Sequence, residues 1–532
     1  MSQIPQGTAT DYYRQQGWWP NEPVTARFAR LVSAEPSVTA VRDDQGQRLN
    51  RAELWRSAEH AAATLARYGV EAGAVVLICL PNTVFWQTAY LGCLRLGAIP
   101  ATIPVTTDPE TLGYVADLIG AAALIAAPDY HGNSAGAAAY GAAERSGRSL
   151  VLWLSNADTP VRTGGQRAEA TPRAGLPDIA QLMFTSSTTG PPKAVAHTEN
   201  TLSAVNLGFA RRFDLTASDT IFMPSPLGHS VGSWHGARLS LFTGAELVLQ
   251  QRWEPRHARE LINAHGATFT AAATPFLKDL VDTAADGDRA ALGSLRTFLC
   301  GGAPVPPALL EQTAVCAPNT FVSVLWGMTE GGVTTCLPTD PASLVAASAG
   351  TGLPGLELCT VDERGQPVEP GTEGELAMRG PGVFVGYIGQ PELYHEQLTE
   401  HGFFRTGDLA RLDEVDGVEY LKLTGRLKDL IVRGGVNISP VPLENALAAH
   451  PAVRRVAVIG VPDERLGERI CAVVEPSSTL PELTTLTQWL GQRGLPQRHW
   501  PEKLWVIDGM PQNATGKIRK VDLRERAAKE LG

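Results

Sequence analysis

Leu182-Met183-Phe184-Thr185-Ser186-Ser187-Thr188-Thr189-Gly190-Pro191-Pro192-Lys193 takes an apolar run directly into five hydroxyl side chains, a glycine and a lysine. A short apolar run bounded by turn formers predicts a buried strand. The same punctuation recurs downstream. Ile221-Phe222-Met223 runs into Pro224-Ser225-Pro226, Leu295 to Leu299 into Cys300-Gly301-Gly302-Ala303, and Phe321 to Leu325 into Trp326-Gly327-Met328-Thr329-Glu330. Upstream, Leu54, Trp55, Ala58, Ala61, Ala62 and Leu65 recur three or four apart, which predicts a helix over 51–68 with Gly69 as its stop. Ala74 to Leu80 reads as a buried strand, and Pro81-Asn82 opens a second helical stretch to Leu96. Residues 132–148 read as a helix or a loosely packed segment, and 155–176 as a surface loop. Alternation of helix and buried strand is the rhythm of an α/β fold, here a large N-terminal body of mixed or parallel sheets flanked by helices. Open α/β sheets bind ligands at the carboxyl ends of their strands. Four such ends rich in small polar residues predict a crevice lined by backbone amides and hydroxyls.

The composition changes near residue 425. Arg426 to Pro440 is dense in charge and glycine; a helical stretch (443–449), strand-like runs (456–461 and 470–474) and a basic terminal helix follow. We therefore expect a large domain over 1–425 and a small α+β domain over 428–532, with a hinge near 426–428. The smaller segment is slightly basic and the remainder acidic. That division suits two bodies meeting over an anionic ligand, although chance variation of surface charge reads as well.

The composition of the 532 residues excludes several classes. With 44% hydrophobic and 19% charged residues, there is apolar material for a large core. A net charge of −10 argues against a general nucleic-acid binder, which needs a basic footprint. The seven cysteines form no C-x-x-C, so neither a disulfide framework nor a cysteine zinc site is expected. The polar, aromatic N-terminus does not read as a signal peptide, and no window approaches about 18 consecutive apolar residues. The expectation is a cytoplasmic protein without membrane or nucleic-acid partners.

Hydroxyls, a glycine and Lys193 after a strand supply the donors and the cation that a triphosphate needs, and main-chain amides in such a turn form an anion nest. The segment is not the G-x-x-x-x-G-K-[ST] loop, and a polar surface loop has the same composition. Taken singly, the other candidates also have ordinary readings: Trp326 as core, Thr329 and Glu330 as a polar loop end, Asp408 as a cap, Lys517 as a solvated side chain, Gly434-Gly435 as a tight turn, and His229 as a hydrogen-bonded structural histidine.

Taken in order, the motifs resemble those of the adenylate-forming superfamily of acyl-CoA synthetases, peptide-synthetase adenylation domains and luciferases. Thr185 to Lys193 resembles the phosphate loop. Trp326 to Glu330 resembles the aromatic-Gly-x-Thr-Glu motif, and Gly374-Glu375-Leu376 with Gly386-Tyr387 the motif after it. Thr406-Gly407-Asp408 resembles the ribose motif. Thr424 to Asp429 and Gly434 to Pro440 resemble the hinge region, and Pro511 with Asn513 to Lys517 the catalytic-lysine motif. The resemblance implies ATP-dependent activation of a small acid as its acyl adenylate, with pyrophosphate release, followed by transfer to coenzyme A. It implies that Thr185, Ser186, Ser187, Thr188, Thr189 and Lys193 hold phosphates, Glu330 holds Mg²⁺, and Thr329 contacts the α-phosphate. Gly301, Gly302 and Ala303 would also border the nucleotide, Trp326 and Gly327 would lie at the adenine, and Asp408 and Arg426 at the ribose. Lys517 would bridge the reacting groups, and rotation of a mobile C-terminal domain at Lys428 would exchange Lys517 for the Gly434-Gly435 face.

The acid pocket is expected at His229, Ser230, Trp234, Gly301, Gly302, Ala303, Gly327 and Thr334. Its small residues favour an aromatic or cyclic acid. Two departures stand out: Ser187 and Ala194 occupy positions where the family carries glycine, and a Cβ there restricts a positive φ. The altered loop keeps open other acceptors: a carrier-protein thiol, an amine, or adenylated nitrite for aryl-amine diazotisation. Outside the superfamily, Gly228-His229-Ser230-Val231-Gly232 fits the G-x-S-x-G elbow of serine hydrolases, and a binding module with a decayed nucleotide site is a further alternative. A monomer and a homodimer fit the sequence equally.

Overall fold

A computed structural model describes residues 9–145, 147–164, 166–167, 178–185, 191–284, 292–302, 305–477, 479, 482–512 and 518–530. The chain divides into two compact units. The first is Met1–Val345 with Gly350–Glu357 and Arg379–Gly402; the second is Ala346–Ala349, Leu358–Met378 and Phe403–Gly532.

Among the described residues, the first unit holds two large sheets. One has nine strands in the order Thr351–Gly352, Gly331–Thr335, Phe321–Met328, Thr297–Gly301, Phe269–Ala273, Thr220–Met223, Glu246–Leu249, Thr39–Asp43 and Arg48–Asn50. The six from Phe321–Met328 to Thr39–Asp43 pair in parallel. The other has eight strands, with Ile99–Thr102, Val75–Cys79, Ala123–Ala126 and Val151–Leu154 parallel at its centre. Its far edge is Ile179–Phe184, Ala194–Thr198 and Gly386–Tyr387.

Helices Arg51–Arg67, Val84–Leu96 and Glu199–Arg212 contribute to one buried cluster that also draws Val76 and Ile78 from the eight-stranded sheet and Val41, Ile221, Leu247 and Phe269 from the nine-stranded one. Apolar faces of both sheets are thus covered by the same helices, which is how parallel strands buried on both sides are satisfied. The helix at 51 starts where its chemistry dictates. Asn50 accepts from the Glu53 amide at 2.8 Å while the Glu53 carboxylate accepts from the Asn50 amide at 2.8 Å, a reciprocal capping box.

Several local expectations shift by a few residues. The strand expected over 321–325 continues to Met328, so Trp326 and Gly327 lie in a hairpin with Gly331–Thr335 and only Thr329-Glu330 form its turn. The stretch read as loop over 155–176 holds two-residue strands at Val161–Arg162 and Gln166–Arg167, each pairing with an earlier strand. Residues 168–177 lie outside those described.

The second unit combines a four-stranded sheet (Glu357–Val361, Gly374–Arg379, Phe404–Val415, Val418–Arg426) with a five-stranded one built on the long hairpin Val453–Asp463 and Gly467–Pro476. Glu357 and Arg379, at the ends of two of these strands, group with the first unit. Helices Val441–Ala448, Leu483–Gln492 and Lys520–Glu530 pack on the hairpin through two apolar clusters. The 426–428 segment lies inside this unit: Arg426 ends a strand, and Leu427–Asp429 form a 3₁₀ turn. The unit ties its own pieces together across that turn. Ser439 donates to the Thr424 carbonyl at 2.6 Å, and Arg524 of the terminal helix pairs with Asp429 at 3.0 Å.

Candidate active site

In the first unit, strand Ile179–Phe184, which precedes the hydroxyl-rich segment in sequence, pairs antiparallel with Ala194–Thr198, which follows it, with Phe184 opposite Ala194. The mouth of this loop is closed by two bonds. The Thr185 amide donates to the Lys193 carbonyl at 3.1 Å, and the Lys193 amide donates to Thr185 Oγ1 at 3.2 Å. Ser186, Ser187, Thr188 and Thr189 lie outside the described residues. Ala194 is a ladder residue with extended backbone, so its Cβ meets no positive-φ strain. The restriction expected at this position does not arise.

The Thr329-Glu330 turn is fastened to the two strands beside the loop. His197 Nε2 lies 2.8 Å from the Thr329 carbonyl, and Phe384 donates its amide to the Glu330 carbonyl at 2.8 Å. The Tyr387 hydroxyl donates to Glu330 Oε1 at 2.7 Å. Gly331 completes the turn at φ +100°, where a Cβ would meet the Gly382 carbonyl oxygen at 2.3 Å. Burial lowers His197 to about 4, so it is neutral at pH 7 and its Nε2–H donates. Burial and the adjacent carboxylate push the Tyr387 phenol far up, so it stays a donor. Lys193 Nζ lies 5.2 Å from the centroid of the same ring. The fold therefore brings a cation and a carboxylate, 137 residues apart in sequence, to one aromatic side chain.

At the carboxyl ends of the nine-stranded sheet, Ala273 pairs with Gly301 and Gly301 with Leu325. Asn82 holds the Pro224-Ser225-Pro226 corner: it donates to the Ser225 carbonyl at 2.9 Å and accepts from the Leu227 amide at 2.9 Å. His229 then caps a short helical turn that begins at Ser230. A Cβ on Gly301 would have Val231 Cγ2 at 3.9 Å, so this turn borders the end of the Thr297–Gly301 strand. Gly301, Gly302, Gly327 and His229 keep solvent-facing surface. Ser230, Trp234 and Thr334 are buried. Trp234 is 1% exposed, in an apolar cluster with Met183 and Leu202, and Thr334 is fully buried opposite Trp326. Trp326 is itself buried. Alternate residues of a strand point to opposite faces, and the face a sheet covers is set by partners the sequence does not name. Ala303 lies outside the described residues.

The serine-hydrolase reading does not survive this geometry. A nucleophile elbow is a strained turn directly between strand and helix. Here the strand ends at Met223, and Ser230 starts a helical turn seven residues on, with no positive φ. The two glycines of the pentapeptide have another cause, close approach of backbone. A Cβ on Gly228 would lie 2.2 Å from the Ile103 carbonyl, and one on Gly232 would lie 2.2 Å from the Pro226 oxygen.

In the second unit, Asp408 and Arg426 face each other across the strand ladder and form an ion pair at 2.7 Å. Asp408 is only 5% exposed. Its position is set by the preceding residues: Thr406 donates to the Leu376 carbonyl at 2.7 Å and accepts from the Asp408 amide at 3.2 Å, while the Gly407 amide donates to Glu375 at 3.0 Å. Gly434 and Gly435, both at positive φ, form the two-residue turn between Ile431–Arg433 and Val436–Ile438, and that hairpin accounts for both glycines. Lys428 sits in the 3₁₀ turn. Lys517 lies outside the described residues.

Sequence reasoning missed His197 and assigned no role to Tyr387, although Gly386-Tyr387 was visible as a motif. It also missed a fully buried arginine. Arg238, in a π-helical turn over Ser233–Arg238, pairs with Glu199. Nothing in its spacing separates it from a surface arginine.

Among the described residues, no three His, Cys, Asp or Glu cluster as a metal site. A buried carboxylate suits a hard cation that arrives with phosphate oxygens, the usual manner of Mg²⁺, so Glu330 fits that ion. A cation and a carboxylate held on one aromatic ring beside a hydroxyl-rich segment make a setting that suits a phosphorylated ligand with its divalent ion. The family described as AMP-binding enzyme matches residues 28–388, and its C-terminal domain matches 442–517. A medium-chain fatty-acid–CoA ligase of Escherichia coli is 32% identical, the match covering 98% of this chain and 93% of that one. A salicylyl-CoA synthase / salicylate adenylyltransferase of a Streptomyces species is 31% identical over 97% of this chain and 96% of that one. The solved structure of ATP-bound MatB from Rhodopseudomonas palustris superposes with a TM-score of 0.83 at 26% identity, covering 96% of this chain and all of that one. The chain belongs to the AMP-binding, adenylate-forming enzyme family and is an AMP-forming ligase. No helix among the described residues is long and apolar enough to cross a membrane.

Proposed function

We propose that this enzyme activates a small aromatic or cyclic carboxylic acid with ATP and passes the acyl group to coenzyme A. The observation that carries the reading is the convergence of Lys193 and Glu330 on Tyr387 next to Thr185; at Gly301 and Gly302 a Cβ would meet nothing closer than 3.9 Å, which leaves space that suits a ring. The likeness to a salicylyl-CoA synthase supports an aryl acid and this acceptor.

In the first half-reaction an acid oxygen attacks the α-phosphorus of ATP, and the bond to pyrophosphate breaks. Acid and nucleotide are both anionic, so placed cations and amides must offset their repulsion. Lys193 and the hydroxyls Thr185, Ser186, Ser187, Thr188 and Thr189 take the β- and γ-phosphates, and Thr329 takes the α-phosphate. Trp326 and Gly327 back the adenine. Asp408 accepts both ribose hydroxyls, with the Arg426 fork beside it. Lys517 bridges the acid and the α-phosphate as charge develops. Glu330 would hold Mg²⁺, which when bound withdraws charge from the phosphate oxygens.

In the second half-reaction the thiol sulfur attacks the acyl carbon, the bond to AMP breaks, and the thiol proton passes to solvent. A reorientation near Lys428 replaces Lys517 by the Gly434-Gly435 face, gating the thiol's access. His229, Gly301, Gly302 and Ala303 line the acid pocket, with Ser230, Trp234 and Thr334 supporting it from the interior.

The test is pyrophosphate release across a panel of aryl, cyclic and fatty acids, with and without coenzyme A, followed by mass spectrometry. An acyl-CoA product from an aryl or cyclic acid is expected. An adenylate that builds up without thioester would assign another acceptor, and release supported only by an aryl amine with nitrite would assign diazotisation.

A further inference from the structure

Tyr387 meets both charged groups of the phosphate site. It is 3% exposed, and its hydroxyl gives Glu330 Oε1 a 2.7 Å bond while its ring face lies 5.2 Å from Lys193 Nζ. A phenol suits this double contact: its O–H is a donor at the ring edge, and its negative π face attracts an ammonium. The ring is fixed by its surroundings. Its strand Gly386–Tyr387 pairs with Ala194–Thr198, Tyr387 facing Val195, two residues after Lys193. Phe384, three residues before Tyr387, packs edge-on against it at 4.9 Å and bonds the backbone of Glu330, so backbone and carboxylate of the same residue are both held from one short segment.

We propose that Tyr387 is a positioning residue for the nucleotide: its hydroxyl aims the Glu330 carboxylate at the divalent cation, and its ring aims the Lys193 ammonium at the phosphates, so that one side chain sets the spacing of both charges. This deepens the adenylation reading and rests on it. A carboxylate released from the phenol regains rotamer freedom that cation binding must remove again. A lysine released from the ring does so independently of any cation. The two functions of the side chain are therefore separable.

The probe is α,β-methylene ATP, whose α–β bridge the enzyme cannot cleave, titrated by calorimetry across a Mg²⁺ series and in EDTA, with melting temperatures measured in parallel. Tyr387→Phe removes the hydroxyl and keeps the ring. It is expected to bind the analogue about 10-fold more weakly at limiting Mg²⁺, with the deficit closing as Mg²⁺ rises, and to bind it like wild type in EDTA. Tyr387→Leu is expected to lose affinity in EDTA as well. In a Glu330→Gln background the Tyr387→Phe change should have no further effect, because partners in one contact are non-additive. A merely structural tyrosine would weaken binding equally with and without Mg²⁺. That result overturns the proposal, as does additivity in the double variant or a wild-type Mg²⁺ dependence for Tyr387→Phe. If the wild-type enzyme itself fails to bind the analogue, the adenylation reading falls and this proposal with it. If the wild type binds and Tyr387→Phe is indistinguishable, only the role of Tyr387 falls.

Discussion

Replacing Asp408 with Asn is a sharp test of the ribose site. Asp408 is buried and pairs with Arg426, whose side chain is 37% exposed, at 2.7 Å. A pair with one partner this open to water contributes about 1 kcal/mol or less to folding, so the variant should fold. The carboxylate offers two acceptor oxygens, one for each ribose hydroxyl, whereas the amide offers one acceptor and turns a donor toward the other hydroxyl. Losing one hydrogen bond to a charged group costs about 1.5–3 kcal/mol, roughly 10- to 150-fold in ATP affinity. The assay is acid-dependent pyrophosphate exchange as a function of ATP concentration, repeated with 2′-deoxy and 3′-deoxy ATP. The apparent KM for ATP should rise by that factor with a smaller change in the maximal rate. The variant should also discriminate less between ATP and at least one deoxy analogue. A folded variant with unchanged ATP affinity, or one that rejects both analogues as strongly as wild type, would refute the assignment of Asp408 to the ribose.

Lys517→Ala should lower adenylate formation by orders of magnitude while sparing thioester formation from a chemically prepared acyl adenylate; equal loss in both, measured by single turnover, removes Lys517 from the first step. His197 is held at about 4 by burial, against 6.5 for the ordinary side chain. The unfolded chain therefore takes up this proton first, and the stability contributed by the neutral form is complete above pH 6.5 and lost as pH falls from 6.5 toward 4. Urea unfolding of His197→Gln should be less pH-dependent than wild type by about 2 kcal/mol between pH 7 and 5, and parallel curves would exclude the effect. Gly232→Ala should fail to fold, because its Cβ would lie 2.2 Å from the Pro226 oxygen, whereas Gly301→Ala meets nothing closer than 3.9 Å. The latter should melt like wild type yet shift acid preference toward smaller acids in the exchange assay; an unaltered preference would take Gly301 out of the pocket.

Much of this enzyme is encoded between near neighbours in the chain. The helix from Arg51 declares itself through three- and four-residue spacing and its Asn50–Glu53 capping box, and the strand before Thr185 through an apolar run that stops at turn formers. The hydroxyl-rich loop, the Thr-Gly-Asp motif and their order identify the family because their chemistry is local. Burial and partnership are not. Glu330 meets Tyr387 across 57 positions and His197 meets the Thr329 backbone across 132, contacts that exist only once strand order is set. Trp234, Trp326 and Thr334 carry side chains that suit a ligand wall, and the packing of sheets and helices buries all three. Gly228 and Gly232 mimic a hydrolase motif in one dimension; in three they are the places where one backbone passes too close to another for any side chain to fit.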